Sequence, residues 1–431
     1  MDGQEMIGHI KALWMYPRSL TGKGTLDTLK YLKKIHPEMS IHSHSSGARV
    51  FDWEIPNEWN IQDAYIQHES GQRFAEFSKQ TLHVLCYSTP CDREMDREEL
   101  LPHIHTHPDQ PDLIPYVTSY YADRWGFCLS ENQKNSLPPG RYRAVIRTQK
   151  KPGKLNLGEL VLPGHSPKEL FFSTYVCHPA MANNELSGPL VATALANYIK
   201  ERYPVPRYTH RFVFVPETIG AIAYLSDHHP ALKKNVMAGF VLSCLGDDRA
   251  YSHVESRLGE SLADTALDAA LLGQKNIKRY SFLKRGSDER QYCAPGIDLP
   301  VCGFCRSKYG EFPEYHTSAD DLTLVSPQGL EGSLKVLKTL VDAFEMGLSP
   351  KITTPCEPQL GKRNLYPSIS RHHSTDHLRT RMDILAYADG NHTPFDLALK
   401  LATPLAQINQ ELELLTRHGL IRQDVLPGKT G

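Results

Sequence analysis

Between residues 168 and 348 the sequence alternates short apolar runs with segments of helical periodicity, and this alternation constrains the fold more than any other feature. Each run has the length of a strand and is apolar throughout, as expected of strands that are buried on both faces. The segments between them, such as LVATALANYIKERY, space their apolar residues for a helix. The pattern predicts an α/β fold, with a mostly parallel sheet and helices on both of its faces. The runs are KELFFSTYVCH, HRFVFVP, VMAGFVLSCLG and LPVCGF.

The segments before and after this region differ from it in composition and periodicity. Residues 52–150 contain short aromatic and β-branched runs broken by Pro, Gly, Asp and Asn, which predicts a small β-rich domain inserted into the α/β domain of residues 1–51 and 151–349. Residues 350–380 are rich in Pro, Ser and charge and are typical of a linker. In residues 381–431, helical patterns that begin with Thr-Pro precede a strand-like LIRQDVL, which predicts a winged helix-turn-helix domain.

Composition argues against several classes of function. The formal net charge is -1, so no overall field favours nucleic acid or an anionic membrane. The longest apolar stretches fall well below the roughly 18 residues that span a bilayer, and MDGQEMIGHIKALW lacks the basic start of a signal peptide. The nine cysteines are scattered, which favours reduced thiols, and we interpret Cys302 and Cys305 of VCGFC as two buried thiols. We therefore expect a cytoplasmic protein without a membrane partner.

Polar residues recur where the predicted strands end. His178 ends the first run, Glu217 follows the second and Asp247 follows the third. The segment RGSDERQYCAPGIDLP, with Asp288 and Arg290, precedes the fourth run, and EYHTSADD supplies His316 after it. Because ligands gather at the carboxyl ends of parallel strands, we expect these side chains to share one rim of the sheet.

Such a set suits metal-assisted hydrolysis. Imidazole nitrogens bind zinc, which lowers the pKa of a water, and Glu217 could take up the proton and deliver it to the leaving amine. Each residue also has a simpler interpretation. His178 could bond backbone at a strand end, Glu217 could favour a helix start, and Asp288 and Arg290 could form a surface ion pair.

The order of these motifs resembles the zinc aminopeptidase and glutamate carboxypeptidase superfamily. It is most similar to bacterial aminopeptidase-like proteins with an inserted β-domain and a winged-helix tail, many of them encoded in surface-polysaccharide gene clusters. The resemblance covers nearly the whole chain. The phrases that carry it include CHPAMANNELSGP, PETIGAIAYL, RGSDERQYCAPGIDLPVC and YHTSADDL.

The resemblance assigns roles residue by residue. It implies metal ligands at His178 and His316, a metal-bridging position at Asn184 and the general base at Glu217. A simpler interpretation of the acids near His316 is that Asp320 or Asp321 orients its imidazole. We expect substrate contacts from Asp247, Asp288 and Arg290.

This sequence departs from the superfamily pattern at three carboxylates. The bridging aspartate is Asn184, the metal-binding glutamate is Thr218 and a further aspartate is Ser243. Two dications held about 3.5–4 Å apart need anionic bridges, so these neutral residues predict one zinc ion. Its ligands would be His178, His316 and the side-chain oxygen of Asn184.

We therefore expect a zinc-dependent amide or peptide hydrolase, aminopeptidase-like, acting on a small peptide or an amide-bearing metabolite. The alternative is a catalytically reduced metal-binding, ligand-binding or regulatory protein on the same scaffold. A nucleic-acid partner is not expected, because the would-be recognition helix carries Glu411 and Glu413 where phosphate contacts need Lys or Arg. A homo-oligomer is left open.

Overall fold

The computed structural model describes residues 1–366 and 372–424. Residues 367–371 of the predicted linker and 425–431 of the predicted C-terminal domain lie outside the described residues. The helices are α1 Gly3–Leu13, α2 Lys23–Ile35, α3 Arg97–Leu100, α4 Glu131–Asn135, α5 Ser187–Arg202, α6 Ile219–Asn235, α7 Leu262–Leu271, α8 Glu289–Tyr292, α9 Pro327–Met346, α10 His372–Tyr387, α11 Pro394–Lys400 and α12 Leu405–Arg417.

The strands, in chain order, are β1 Ser40–Ser45, β2 Arg49–Val50, β3 Trp53–Glu54, β4 Glu58–His68, β5 Arg73–Phe74, β6 Cys91–Asp96, β7 Ile104–His105, β8 Phe127–Cys128, β9 Arg141–Lys151, β10 Lys154–Leu162, β11 Ser166–Tyr175, β12 Tyr208–Val215, β13 Val236–Leu242, β14 Tyr251–Val254, β15 Ile277–Tyr280, β16 Val301–Cys305, β17 Ser349–Ile352 and β18 Ile421–Asp424.

The main sheet has eight strands in the order β1-β10-β12-β11-β13-β16-β14-β15. Its centre, β12-β11-β13-β16, is parallel, whereas β10 joins β12 and β14 joins β16 in antiparallel fashion. The central strands are the four apolar runs of the sequence, so the predicted α/β fold with a mostly parallel sheet is confirmed. The carboxyl ends of β11, β12, β13 and β16 consequently meet at one rim.

Helices cover both faces of this sheet, and β11 shows how. Successive side chains of a strand point to opposite faces. Phe172 belongs to the core that also contains residues of α1, α5, α7 and α9, whereas Phe171 belongs to the core that contains residues of α6. Both side chains are almost fully buried. This double burial explains why the strand is apolar throughout.

A smaller sheet, β5-β4-β9-β6, lies within the segment expected to hold an inserted domain. It has a hydrophobic core of its own, which includes Ile66, Phe127 and Tyr142. The loop between β7 and β8 reaches the main domain, where the Tyr116 N–H donates to the carbonyl of His316 at 2.8 Å. The insertion thus contributes a wall beside the carboxyl rim of the main sheet.

The last described strand of the chain, β18, pairs with β17, which follows α9. Strand β17 covers the last residue of the expected α/β domain and the first residues of the expected linker, 350–352, and it pairs antiparallel with the wing strand β18. A wing strand needs a partner for its backbone groups, and local composition does not reveal where that partner lies. Helix α12 packs against α9, where Asn409 Nδ2 donates to the carbonyl of Thr339 at 3.0 Å.

In the part of the chain that the structure describes, no helix combines the length and apolarity needed to cross a bilayer.

Candidate active site

A cleft of about 640 Å³ opens at the carboxyl rim of the main sheet. It brings together His178, Glu217, Arg290 and His316, which come from separate loops of the chain. The remaining walls are largely aromatic and come from the inserted segment, in the form of Trp53, Tyr116, Tyr120 and Tyr121.

His178 follows β11 and is held from behind by a buried pair of charges. Its Nδ1 lies 2.8 Å from Glu185 Oε2, and Arg18 Nε donates to its carbonyl at 2.8 Å. Arg18 Nε also lies 3.8 Å from Glu185 Oε1, and both side chains are completely buried. With Nδ1 engaged by Glu185, the other ring nitrogen, Nε2, is turned toward Glu217 Oε2 at 3.6 Å.

The charges around His178 shift its pKa. Burial alone would lower it, but the hydrogen bond and charge of Glu185, together with the charge of Glu217, outweigh burial and raise it. Burial raises the pKa of Glu217, although the charges of His178 and Arg290 oppose this. His178 and Glu217 therefore stabilise each other's charged forms.

Asp320 holds the turn that follows His178. This turn, Ala182–Leu186, is a single π-helical turn, a feature common at functional sites. Asp320 Oδ1 accepts from the Asn183 N–H at 2.6 Å and Oδ2 from the Asn184 N–H at 2.8 Å. Burial raises the pKa of Asp320 to about 7, although these backbone contacts oppose the rise. Asp320 thus holds the turn at Asn183 and Asn184, whereas the simpler interpretation of the sequence had Asp320 or Asp321 orient His316.

Asn184 lies behind the cleft rather than on its surface. Its Nδ2 donates to the Tyr175 hydroxyl at 2.9 Å. Its Oδ1 is buried and, among the described residues, has no hydrogen-bond partner. A buried carbonyl oxygen without a partner carries a free-energy cost that a cation would relieve.

His316 faces His178 with its ring centroid 5.2 Å away. It stacks on Tyr315 at 3.8 Å, and its backbone has a φ of 57°, which few residues other than glycine adopt. Burial and the nearby His178 lower the pKa of His316 well below its usual value, so the ring is neutral. Its Nε2 is buried without a partner within the described chain and offers a lone pair.

Thr218 occupies a strained backbone conformation beside Glu217, with φ 65° and ψ -78°. Two residues of the segment before β16 hold it there. Asp288 Oδ1 accepts from the Thr218 N–H at 2.7 Å, and Arg290 Nη2 donates to Thr218 Oγ1 at 2.7 Å. Asp288 is completely buried, and burial followed by the charge of Glu217 raises its pKa well above the usual value. Asp288 therefore supports the turn, whereas Arg290 reaches the cleft.

Asp247 is not brought into the cleft. Its carboxylate accepts from Asn183 Nδ2 at 3.1 Å and from the N–H and Oγ of Ser307 at 3.0 and 2.8 Å. These bonds tie the loop after β13 to the loops around it. The expected substrate contact by Asp247 has no support in this geometry.

The donor atoms around the cleft are of the kinds that zinc binds. The Nε2 atoms of two imidazoles and the Asn184 oxygen are available, and imidazole nitrogen is a preferred zinc ligand. The donor atoms of His178, Glu217 and His316 do not all lie within 4.8 Å of one another, so a common ion requires side-chain rotation. A second ion fits poorly, because the Thr218 hydroxyl already accepts from the Arg290 cation.

Among the described residues, two buried groups each bring three possible ligand atoms within 4.8 Å of one another, and one of these groups shares His178 with the cleft. In the group Cys177, His178 and Glu185, the imidazole already hydrogen-bonds Glu185, and the Arg18 cation lies behind it. The other group contains His253, whose ring nitrogens both contact aspartates. In both groups the ring nitrogens nearest the other ligand atoms are already hydrogen-bonded to carboxylates.

The sequence did not point to Arg18 or Glu185. Glu185 follows His178 by seven residues and lies on the π-helical turn, and this short spacing is the local signal that could have found it. Arg18 lies far away in the chain, in the loop between α1 and α2, and only the folded structure brings it to His178.

The sequence of this chain is similar to known protein families and to a protein from another bacterium. Residues 8–347 match the family described as Domain of unknown function (DUF4910), and residues 349–423 match the winged helix-turn-helix family. A Clostridium acetobutylicum protein, provisionally named a polysaccharide biosynthesis protein with aminopeptidase-like domain, is 36% identical over 428 residues, covering 97% of this chain and 96% of its own.

Two solved structures have a similar fold. A crystal structure from Clostridium acetobutylicum, provisionally named a peptidase, has a TM-score of 0.89 and 35% sequence identity, covering 97% of this chain and 96% of that chain. BSAP, a zinc aminopeptidase from Bacillus subtilis, has a TM-score of 0.56 and 12% identity, covering 79% of this chain and 94% of that chain. Because the sequence of BSAP is only 12% identical to this chain, the similarity to BSAP shows a shared fold and nothing more.

Proposed function

This chain belongs to the family described as Domain of unknown function (DUF4910), and on that premise we propose that it is a zinc-dependent hydrolase of amide or peptide bonds. Its substrate is a small peptide or an amide-bearing metabolite. One observation carries the proposal, namely that His178 and His316 lie with ring centroids 5.2 Å apart in a cleft where Glu217 comes within 3.6 Å of His178. The aminopeptidase-like fold supports the same chemistry.

The ligands of the ion would be Nε2 of His178, Nε2 of His316 and, more weakly, Oδ1 of Asn184. A bound zinc ion supplies a Lewis acid that polarises the amide carbonyl and lowers the pKa of water. Glu217 is the general base, which takes a proton from the attacking water and returns it to the leaving amine. Its raised pKa suits this exchange, because a carboxylate with a higher proton affinity is a better base.

The surroundings of Thr218 and Ser243 support one ion rather than two. The Thr218 hydroxyl accepts from Arg290, and Ser243 Oγ lies 3.6 Å from Cys305 Sγ. Neither hydroxyl adds negative charge, and the Arg290 cation would repel a second dication.

The test combines metal analysis with hydrolysis by Glu217→Gln. Wild-type protein purified without chelators should contain one equivalent of zinc and cleave at least one member of a panel of aminoacyl and acyl amides. Glu217→Gln should lower the rate by about 10²–10⁴-fold while keeping its zinc. Glu311→Gln, which changes an exposed carboxylate, is the matched control.

Full activity of Glu217→Gln would refute the role of this residue. Zinc-loaded wild-type protein that cleaves nothing in the panel would instead favour the second candidate.

The second candidate is a metal-binding, ligand-binding or regulatory protein without catalysis. Its supporting observation is the replacement of three superfamily carboxylates by Asn184, Thr218 and Ser243. Protein that carries no metal after gentle purification would favour this candidate.

A further inference from the structure

Arg290 is a cation of the cleft that forms no ion pair with any residue the structure describes. Its Nε donates to the Ser287 carbonyl at 2.9 Å and its Nη2 to Thr218 Oγ1 at 2.7 Å. Among the described residues, no carboxylate oxygen lies within 4.0 Å of its guanidinium, and Nη1 makes no hydrogen bond. The side chain is therefore fixed in direction while part of its donor fork remains free.

The N–H groups of Arg290 that make no hydrogen bond belong to a side chain at the proposed active site. Arg290 lines the same cleft as His178, Glu217 and His316, and its charge is near enough to act on Glu217 without touching it. A guanidinium matches the geometry of an oxyanion with two parallel N–H donors. Arg290 is partly buried, and the carboxylates that feel its charge, Glu217 and Asp288, do not contact its guanidinium, so its free N–H groups can take a negatively charged group from outside.

We propose that Arg290 is the anion subsite of the cleft and that the substrate is an amide bearing a carboxylate group. The inference rests on the proposed function and narrows its substrate class. Arg290 is the only Lys or Arg among the described residues that line the cleft, so it suits one negative charge better than a phosphate dianion. A substrate that brings an ammonium group close to the Arg290 guanidinium would be repelled by it.

The position of Thr218 strengthens this assignment. Thr218 stands where the resemblance has a metal-binding carboxylate, and its hydroxyl instead anchors the guanidinium. The strained φ of 65° at this residue is held by Asp288 and Arg290 together. The segment that precedes β16 therefore builds a fixed cation where the superfamily pattern has a ligand for metal.

The test measures binding, so its outcome does not depend on turnover. Calorimetry on the full-length, zinc-containing protein compares N-acetyl-L-alanine with N-acetyl-L-alanine methylamide, which differ by one negative charge. Wild-type protein should bind the carboxylate at least about tenfold more tightly. Arg290→Gln should lose this preference, and Arg290→Lys should keep only part of it, because an ammonium lacks the bidentate fork.

Glu217→Gln should keep the preference, which separates this proposal from the hydrolase proposal. Equal affinities in the wild type would overturn the anion subsite, whatever the activity. A preference that survives in Arg290→Gln would assign the carboxylate to the metal instead and would also overturn it. Inorganic phosphate that binds more tightly than the carboxylate would overturn the choice of substrate class. Thermal melts of each variant show that loss of preference is not loss of fold.

Discussion

Glu185 Oε2 lies 2.8 Å from His178 Nδ1, so the imidazole that faces the cleft is oriented by a carboxylate that is itself completely buried. Arg18 neutralises the other side of that carboxylate and also holds the backbone of His178. Histidines that bind metal commonly donate their second nitrogen to such a partner, which fixes the ring and raises its basicity.

We expect Glu185→Gln to weaken zinc binding by about 10–100-fold, because the amide keeps a hydrogen-bond acceptor but loses the charge that supports His178. Competition with a chromogenic chelator measures the affinity. Glu201→Gln, on the exposed side of α5, is the control. An unchanged zinc affinity in a folded Glu185→Gln protein would show that His178 does not bind the metal.

We expect Asn184→Asp to bind zinc more tightly than the wild type but to be less stable without metal. The added carboxylate brings charge to a donor that is buried without a partner, close to Glu185 and Asp320. Buried like charges repel in the absence of a cation. Thermal melts with and without zinc should therefore show a larger metal-induced shift in the variant. The same shift in both proteins would mean that Asn184 does not contact the ion.

His253 forms a buried charge cluster far from the metal donors in the chain. Its Nε2 lies 3.0 Å from Asp264 Oδ1 and its Nδ1 lies 2.7 Å from Asp268 Oδ1, while Arg279 also pairs with Asp268 at 3.1 Å. Burial lowers the pKa of His253, but the two aspartates outweigh burial and raise it. The folded protein therefore favours the imidazolium.

This cluster predicts a pH dependence of stability. Because the folded-state pKa of His253 is raised above the unfolded value of about 6.5, its contribution is fully present below that pH and is lost as the pH rises through the folded-state pKa. His253→Gln should cost about 3–5 kcal/mol of unfolding free energy at pH 6 and less at alkaline pH. Urea titrations across pH measure this, with His165→Gln, an exposed site, as the control. A cost that stays constant with pH would contradict the charged state.

The sequence predicts the sheet because its signals are local. Runs such as KELFFSTYVCH are apolar on both faces, and this is required wherever a strand is covered by helices on both sides. The same locality makes the rim predictable, since His178 and Glu217 directly follow strands whose parallel arrangement brings their ends together. The start of the C-terminal module was less predictable, because β17 is defined by its pairing with the distant β18.

The sequence by itself therefore determined the α/β architecture and which polar residues stand at the ends of its strands. Only the tertiary structure decided their partners. It placed Glu185 and Arg18 behind His178 and brought Asp320 to the turn at Asn183. It also placed Arg290 at the cleft with no ion pair to any described residue. The physical reason is that burial makes each polar atom find a partner nearby in space, and neighbours in space are set by the closing of the whole fold rather than by any local pattern.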